Sequence, residues 1–448
     1  MIPPKPLISR SRLLRSLPHR LLRRLLLPGA AGTLLLLLAL GGVPPTPTTT
    51  NATMQQPQPR WQPPNYTDLV LRHGLARAYR RYPDSPGERD VGGHWCASAS
   101  LRSKPSGLLY NKMPKAASST TAGIILRISD GYSIRHFGGV EGKNGTHAVG
   151  EVPPCPNQVS HRPNYSAGRA YGNRLPYPQS MLLSTVRDPA GRSLSRLYFQ
   201  EVSQQQHAPT DANMLQWLRQ KTNSQFGAIS PGMGGFQLAY LSLGAIGKDT
   251  AWVADRPEDV IEPLAVHENV RRVVSDYDLL LVVERYDESL VVMQLLLGLD
   301  PSDIAYLRSK SAGGYFYSER GVGKDGIGQC VKLVPAVASE AVRAHLDGPE
   351  WHSANYGDYL LREAASQSLD LTIDNVLGRK RFDEALQSFR SLCALAEDRC
   401  TSEAIFPCSS DGTPQVERSR ESCYEKDWGC GAQCLDDVFA LPRMGTTQ

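Results

Sequence analysis

Short apolar runs alternate with stretches of helical period along most of the chain, which is the layout of α/β layers. Gly107 to Met113 (GLLYNKM), Met181 to Val186 (MLLSTV) and Leu279 to Val283 (LLLVV) read as buried strands. Thr67 to Tyr82 predicts a helix, with Thr67 as its cap and Pro83 just past its end. Thr120 to Ile128 (TTAGIILRI) predicts another. Asp188-Pro189 opens a third, with the aspartate at the N-cap and proline at the first helical position. Thr210 to Lys221 is amphipathic and places Met214, Trp217 and Leu218 on one face. Asp287 to Leu297 predicts a strong helix, with Asp287-Glu288 capping it. No internal repeat is evident.

One apolar run differs in kind. Leu25 to Val43 holds 19 residues without a charge, roughly 28 Å as a helix, enough for the hydrocarbon core of a bilayer. Residues 1–24 carry seven basic side chains and no acid, so the positive-inside rule puts them in the cytosol and the rest in a lumen. Two other readings stay open: a cleaved signal ending near Ala39-Leu40-Gly41, and an organelle transit peptide. Residues 44–64 contain seven prolines among threonines and glutamines, an extended stem. Four N-x-S/T sequons lie beyond the apolar segment, at Asn51, Asn65, Asn144 and Asn164, and favour the secretory route.

That segment changes the meaning of the charge. The whole chain has 49 basic residues and 44 acids, a net +5. With the seven basic residues of the amino terminus set aside, 42 face those 44 acids and the body is slightly acidic. Nothing in the composition supports a nucleic-acid-binding surface. Of nine cysteines, Cys393, Cys400, Cys408, Cys423, Cys430 and Cys434 lie in the last 56 residues, a tail expected to be stapled by disulfides. A zinc site is the weaker reading, because Cys430-x-x-x-Cys434 lacks the usual spacing and no histidine is near. An odd count leaves at least one thiol free or paired between chains.

The candidate chemistry lies in two loops. Pro114 to Thr120 (PKAASST) falls between a strand and a helix. A helix amino terminus offers unpaired N–H groups and a positive dipole end, small residues let the backbone curl around an anion, and Lys115 adds a mobile charge. An ordinary small-residue capping loop is the plainer alternative. It is not a Walker A loop, since G-x-x-x-x-G-K-[ST] occurs nowhere in the chain. Thr185 to Pro189 (TVRDP) follows another strand, with Ser195 eight residues after Arg187. Arg187 and Ser195 are placed to grip one phosphate, Arg187 through its planar fork.

Together these segments resemble the two signatures of Golgi carbohydrate sulfotransferases, most closely the galactose 3-O-sulfotransferases and next the heparan sulfate 2-O-sulfotransferases. Ser118 to Arg127 is similar to the family's loop and first helix, and Val283 to Leu290 (VERYDESL) to its E-x-F-D-E-S-L stretch. The likeness covers roughly residues 107–392. Ala116 and Ala117 stand where the family often has threonine and glycine, and Gly123 where the galactose group has asparagine.

The resemblance implies a P-loop sulfotransferase-like, three-layer α/β fold with a central parallel sheet, behind an N-terminal transmembrane anchor. It divides the chain into a cytosolic tail 1–24, an anchor 25–43, a stem 44–66, a sulfotransferase domain 67–392 and a Cys-rich segment 393–448. It implies 3′-phosphoadenosine 5′-phosphosulfate (PAPS) as co-substrate, a glycan acceptor in the Golgi lumen, and no metal. Lys115, Ala116, Ala117, Ser118, Ser119 and Thr120 would hold the 5′-phosphosulfate, and Arg187 and Ser195 the 3′-phosphate. Lys115 would neutralise the leaving phosphate.

A sugar hydroxyl needs a base, and histidine suits the task. In the resembled families the base precedes the arginine by a little over twenty residues. His161, 26 residues before Arg187, is the preferred candidate; His136 and Glu151 are the alternatives. Arg127 reads as a surface or packing residue, and Arg192 and Arg196 as solvated helix charges by default, with help in binding the donor or an acidic acceptor as the alternative. Lys310 and Lys324 border a Gly-rich stretch that is a lid candidate, with a simple surface loop as the plainer reading. A lumenal P-loop kinase and an inactive glycan-binding protein of the same fold are the competing functional readings.

Overall fold

Four short strands pair as one parallel sheet in the computed structural model. They are β1 (Leu108–Asn111), β2 (Gln158–Ser160), β3 (Met181–Val186) and β4 (Leu279–Val282), in the order β2-β1-β3-β4. Leu109 stands opposite Gln158 and Leu182, and Leu183 opposite Leu279. The structure describes residues 61–78, 108–137, 158–160, 181–221, 235–242, 263–308, 313–318, 329–402, 406–415, 423–425 and 428–439, all within one unit, Arg60–Gln448. The expected anchor 25–43 lies outside them, as do Glu151, His161, Lys310 and Lys324. Among the described residues no helix is long and apolar enough to cross a membrane.

Helices cover both faces of the sheet, as a parallel sheet requires. In chain order they are α1 (Tyr66–His73), α2 (Ser118–Phe137), α3 (Pro189–Leu197), α4 (Asp211–Lys221), α5 (Phe236–Ser242) and α6 (Pro263–Asp276). Then come α7 (Tyr286–Leu297), α8 (Glu340–Leu346), α9 (Pro349–Ala354), α10 (Tyr356–Thr372), α11 (Arg379–Cys400) and α12 (Ala432–Val438). Strand side chains alternate between two cores. Leu183, Leu279 and Leu281 point into one built with Ile125 of α2, Met293 of α7 and Phe389 of α11. Leu182, Leu280 and Val282 point into the other, with Val70 of α1, Leu238 of α5, Val270 of α6 and Leu360 of α10. Met214 and Leu218 of α4 are buried in a third cluster with Trp351.

Two local readings are corrected. The first helix is shorter than its pattern: Asn65 rather than Thr67 caps it, accepting from the Asp68 amide, and Gly74 ends it in the left-handed conformation at φ 57°. Asp287 and Glu288 do not cap α7. Asp287 accepts from the Tyr306 hydroxyl at 3.0 Å and faces Arg390, and Glu288 pairs with Arg285.

The Cys-rich tail is part of the domain. Helix α11 runs through Cys393 without a break, and this thiol is free, with burial pushing it up to about 12. Disulfides join Cys330 to Cys408 and Cys400 to Cys434, and Cys430 is disulfide-bonded too. The antiparallel pair β5 (Tyr315–Ser318) and β6 (Gln329–Lys332) is thereby tied to the tail. A second pair, β7 (Cys423–Glu425) and β8 (Trp428–Cys430), lies against α2. Arg127 of α2 is buried there, donating to the Ser302 and Ala305 carbonyls and facing Asp436 at 3.3 Å.

Gly123 and Gly429 meet backbone to backbone, which accounts for glycine at position 123. A Cβ on Gly123 would lie 2.9 Å from the Gly429 nitrogen and closer still to its Cα, and neither is a flexible group that can swing away. Gly123→Ala is expected to destabilise the domain by about 1–3 kcal/mol through overpacking. Thermal unfolding reads this out; an unchanged midpoint would refute the close approach.

Candidate functional site

The loop after β1 is wound by its backbone. Lys115 and Ala117 both have left-handed backbone, φ 65° and 52°, with no glycine in the segment. Such residues cost on the order of 1–2 kcal/mol each, and alternating hand turns successive N–H groups toward one side. Helix α2 follows at once. Its first turn is closed by Thr121, whose amide and hydroxyl both donate to the Ala117 carbonyl, at 3.0 and 3.1 Å. That leaves the Thr121 oxygen to accept from Tyr286, 2.8 Å away. Ala116, Ser118 and Thr120 are buried, while Lys115 and Ser119 are partly exposed at the mouth of the loop.

The loop after β3 carries Arg187. Its backbone is held by one buried side chain: the Arg187 amide donates to Gln237 Oε1 at 2.9 Å, and Gln237 Nε2 donates to the Arg187 carbonyl at 2.7 Å. Gln237 is itself fixed by Asp358, which accepts from the Gln237 and Leu238 amides at 3.0 and 2.8 Å and so caps α5. Asp188 caps α3 as expected, accepting from the Gly191 amide at 2.7 Å, while its own amide donates to Glu284 at 2.9 Å.

These supports bring the two loops together. Arg187 Nη1 donates to the Lys115 carbonyl oxygen at 3.1 Å. Burial lowers the Arg187 pKa, and the charges of Glu284 and Asp188 oppose that shift. Ser195 lies two turns along α3, partly exposed. Lys115 Nζ stands 2.9 Å from the ring centre of Phe199, in a π-helical turn, Tyr198–Gln204, that continues α3.

Arg192 is buried, not a solvated helix charge. Its Nε and Nη1 have no hydrogen-bond partner, its guanidinium lies 4.2 Å from the Phe236 ring, and burial brings its pKa down to about 10 against the opposing pull of Asp358. Arg196 faces the same ring at 5.6 Å. A cationic group of four side chains, Lys115, Arg187, Arg192 and Arg196, therefore borders this end of the sheet.

Of the expected base candidates, His161 and Glu151 lie outside the described residues. His136 sits in the last turn of α2, 18 residues and roughly 27 Å from Ser118, so it is withdrawn as a base for chemistry at the loop. His352 was not singled out by its sequence context. It bonds Tyr66 through Nδ1 at 2.9 Å, stacks on Tyr359 at 4.5 Å, and feels the charge of Asp188. Gln237, Asp358 and Phe199 carry no sequence signal either, because each acts through a partner far along the chain. Among the described residues no cluster of histidine, cysteine and carboxylate side chains is arranged to hold a metal ion.

Asp358 gives the site a pH signature. Burial raises its carboxyl to about 6 from 3.8, against the pull of the Gln237 and Leu238 amides and Arg192. The folded chain thus binds the proton more tightly, so this contribution to stability is complete below about pH 4 and lost as pH rises through about 6. The loss is on the order of 3 kcal/mol. Asp358→Asn is expected to flatten the stability–pH curve across that window, measured by chemical denaturation at several pH values. A wild-type curve already flat between pH 4 and 6 would refute the shift.

No protein-family model, curated protein or solved structure matches this chain.

Proposed function

We propose that this chain is a carbohydrate O-sulfotransferase that takes its sulfuryl group from PAPS and gives it to a sugar hydroxyl. The observation that carries this reading is the hydrogen bond from the Arg187 guanidinium to the Lys115 carbonyl, which joins the two anion-binding segments across β1 and β3. Two separate anionic groups on one nucleotide call for two such segments a short distance apart. The left-handed loop and the start of α2 suit the 5′-phosphosulfate, in the manner of a P-loop. Arg187 and Ser195, with Arg192 and Arg196 behind them, suit the 3′-phosphate.

The chemistry is an in-line displacement at sulfur. The acceptor oxygen forms its bond to sulfur as the bond from sulfur to the phosphate oxygen breaks. The acceptor proton passes to a base, for which His161 remains the candidate, and the charge on the leaving phosphate is met by Lys115. No metal is called for. The amino-terminal segment 25–43 supports a single-pass, type II Golgi membrane protein with this domain in the lumen.

Arg187→Lys is expected to weaken binding of 3′-phosphoadenosine 5′-phosphate about tenfold to a hundredfold in calorimetry. Lys115→Ala is expected to cut transfer of labelled sulfate from PAPS to a panel of desulfated glycans by about a hundredfold or more, with the fold intact by circular dichroism. His161→Ala should bind nucleotide normally and lose turnover. A wild-type protein that neither binds the nucleotide nor labels any glycan would end the proposal in favour of a non-catalytic role; one that needs Mg²⁺ and transfers phosphate from ATP would make it a kinase.

A further inference from the structure

We infer that Phe199 is a positioning residue for Lys115, and that the β5–β6 pair sets where its ring stands. The inference rests on the proposed role of Lys115 at the donor phosphate and adds how that lysine is held. A lysine ammonium is a strongly hydrated point charge on a flexible stem. At 2.9 Å from the Phe199 centroid it has instead settled on the negative face of the ring. A ring serving only to fill space would be expected to meet aliphatic groups.

The ring is held from behind. Phe316 of β5 meets it edge to face, with centroids 5.0 Å apart and planes at 62°. The π-helical turn that carries Phe199 is pinned at two points by the segment after β6. The Val334 amide donates to Ser203 Oγ at 3.1 Å, and the Tyr198 hydroxyl donates to the Val337 carbonyl at 2.6 Å. Strand β6 is fastened to the tail by the Cys330–Cys408 disulfide. Beside that bond, Gly412, at φ 89°, lies so close to Tyr315 of β5 that an added Cβ would come within 2.6 Å of the ring. The tail thus holds the β-pair, the β-pair backs Phe199, and Phe199 holds the lysine. Rotamer freedom that the lysine would otherwise lose on binding an anion is already restricted, which is preorganisation in the ordinary sense.

The test uses the full chain with its lysines reductively methylated with ¹³C, Lys115 being assigned from Lys115→Arg. With no nucleotide present, its methyl signal is expected to be displaced upfield by the ring current. The displacement should vanish in Phe199→Leu, persist in Phe199→Tyr, and shrink in Phe316→Leu, the variant to use if Phe199→Leu does not fold. Binding of 3′-phosphoadenosine 5′-phosphate should weaken about fivefold to tenfold in Phe199→Leu, recover to within about twofold in Phe199→Tyr, and show no further loss when Phe199→Leu is added to Lys115→Ala. An undisplaced Lys115 signal, or an equal loss of binding with and without the lysine, would overturn the inference and leave the donor proposal standing. A displaced signal in a protein that binds no nucleotide would do the reverse.

Discussion

A parallel pairing of two short strands is the constraint on which the site depends. Because β1 and β3 run side by side in the same direction, the loops that leave them emerge at the same edge of the sheet. Lys115 and Arg187, 72 residues apart, are brought to the same edge by that pairing. The bond between them is made to a main-chain carbonyl, so it depends on the loop's winding and not on the lysine side chain. Arg187 therefore closes the loop while carrying a partly buried positive charge.

Neither loop is held by its own residues alone. The VERYDESL run reaches both: Glu284 accepts from the Asp188 amide, and Tyr286 bonds Thr121 at the start of α2. Around Tyr286 lies a buried set of hydroxyls. Tyr110 of β1 stands 3.3 Å from Thr185 of β3, and Tyr286 meets Tyr306 edge to face. Burial raises both Tyr110 and Tyr286 far above the usual tyrosine range, so these groups stay neutral and serve as fixed dipoles. Buried polar networks of this kind hold one geometry when they are fully bonded. Two strained residues in the first loop need such a frame around them.

What was legible in the sequence follows from range. Met181–Val186 matches its apolar run, and Asp188-Pro189 opens α3 as read, because strand and cap signals are local. Lys115 and Arg187 were legible because their neighbours form recognisable loops. Gln237 and Asp358 were not, since a glutamine that clips a distant backbone and an aspartate that caps a distant helix look like any other polar residues. Arg192 was misread as solvated because helical period alone does not say that a second layer covers its face. The first helix overran because its apolar spacing continues past Gly74, where the backbone has already turned away.

The near-neutral charge of the body acquires a physical meaning from this geometry. A polyanion drawn only by bulk charge would be held loosely and released by salt. Here bulk charge offers nothing, and a few cations work from partly desolvated positions. Burial penalises the charge of both Arg187 and Arg192 and lowers their pKa values, yet Arg192, at about 10, remains charged at neutral pH. Arg192 keeps two buried N–H groups without hydrogen-bond partners. A buried guanidinium with unsatisfied N–H groups is costly, and an anion placed beside Arg192 would relieve that cost. On the proposed reading, selectivity for a nucleotide with two separated anionic groups would come from where the cations stand, not from how many there are.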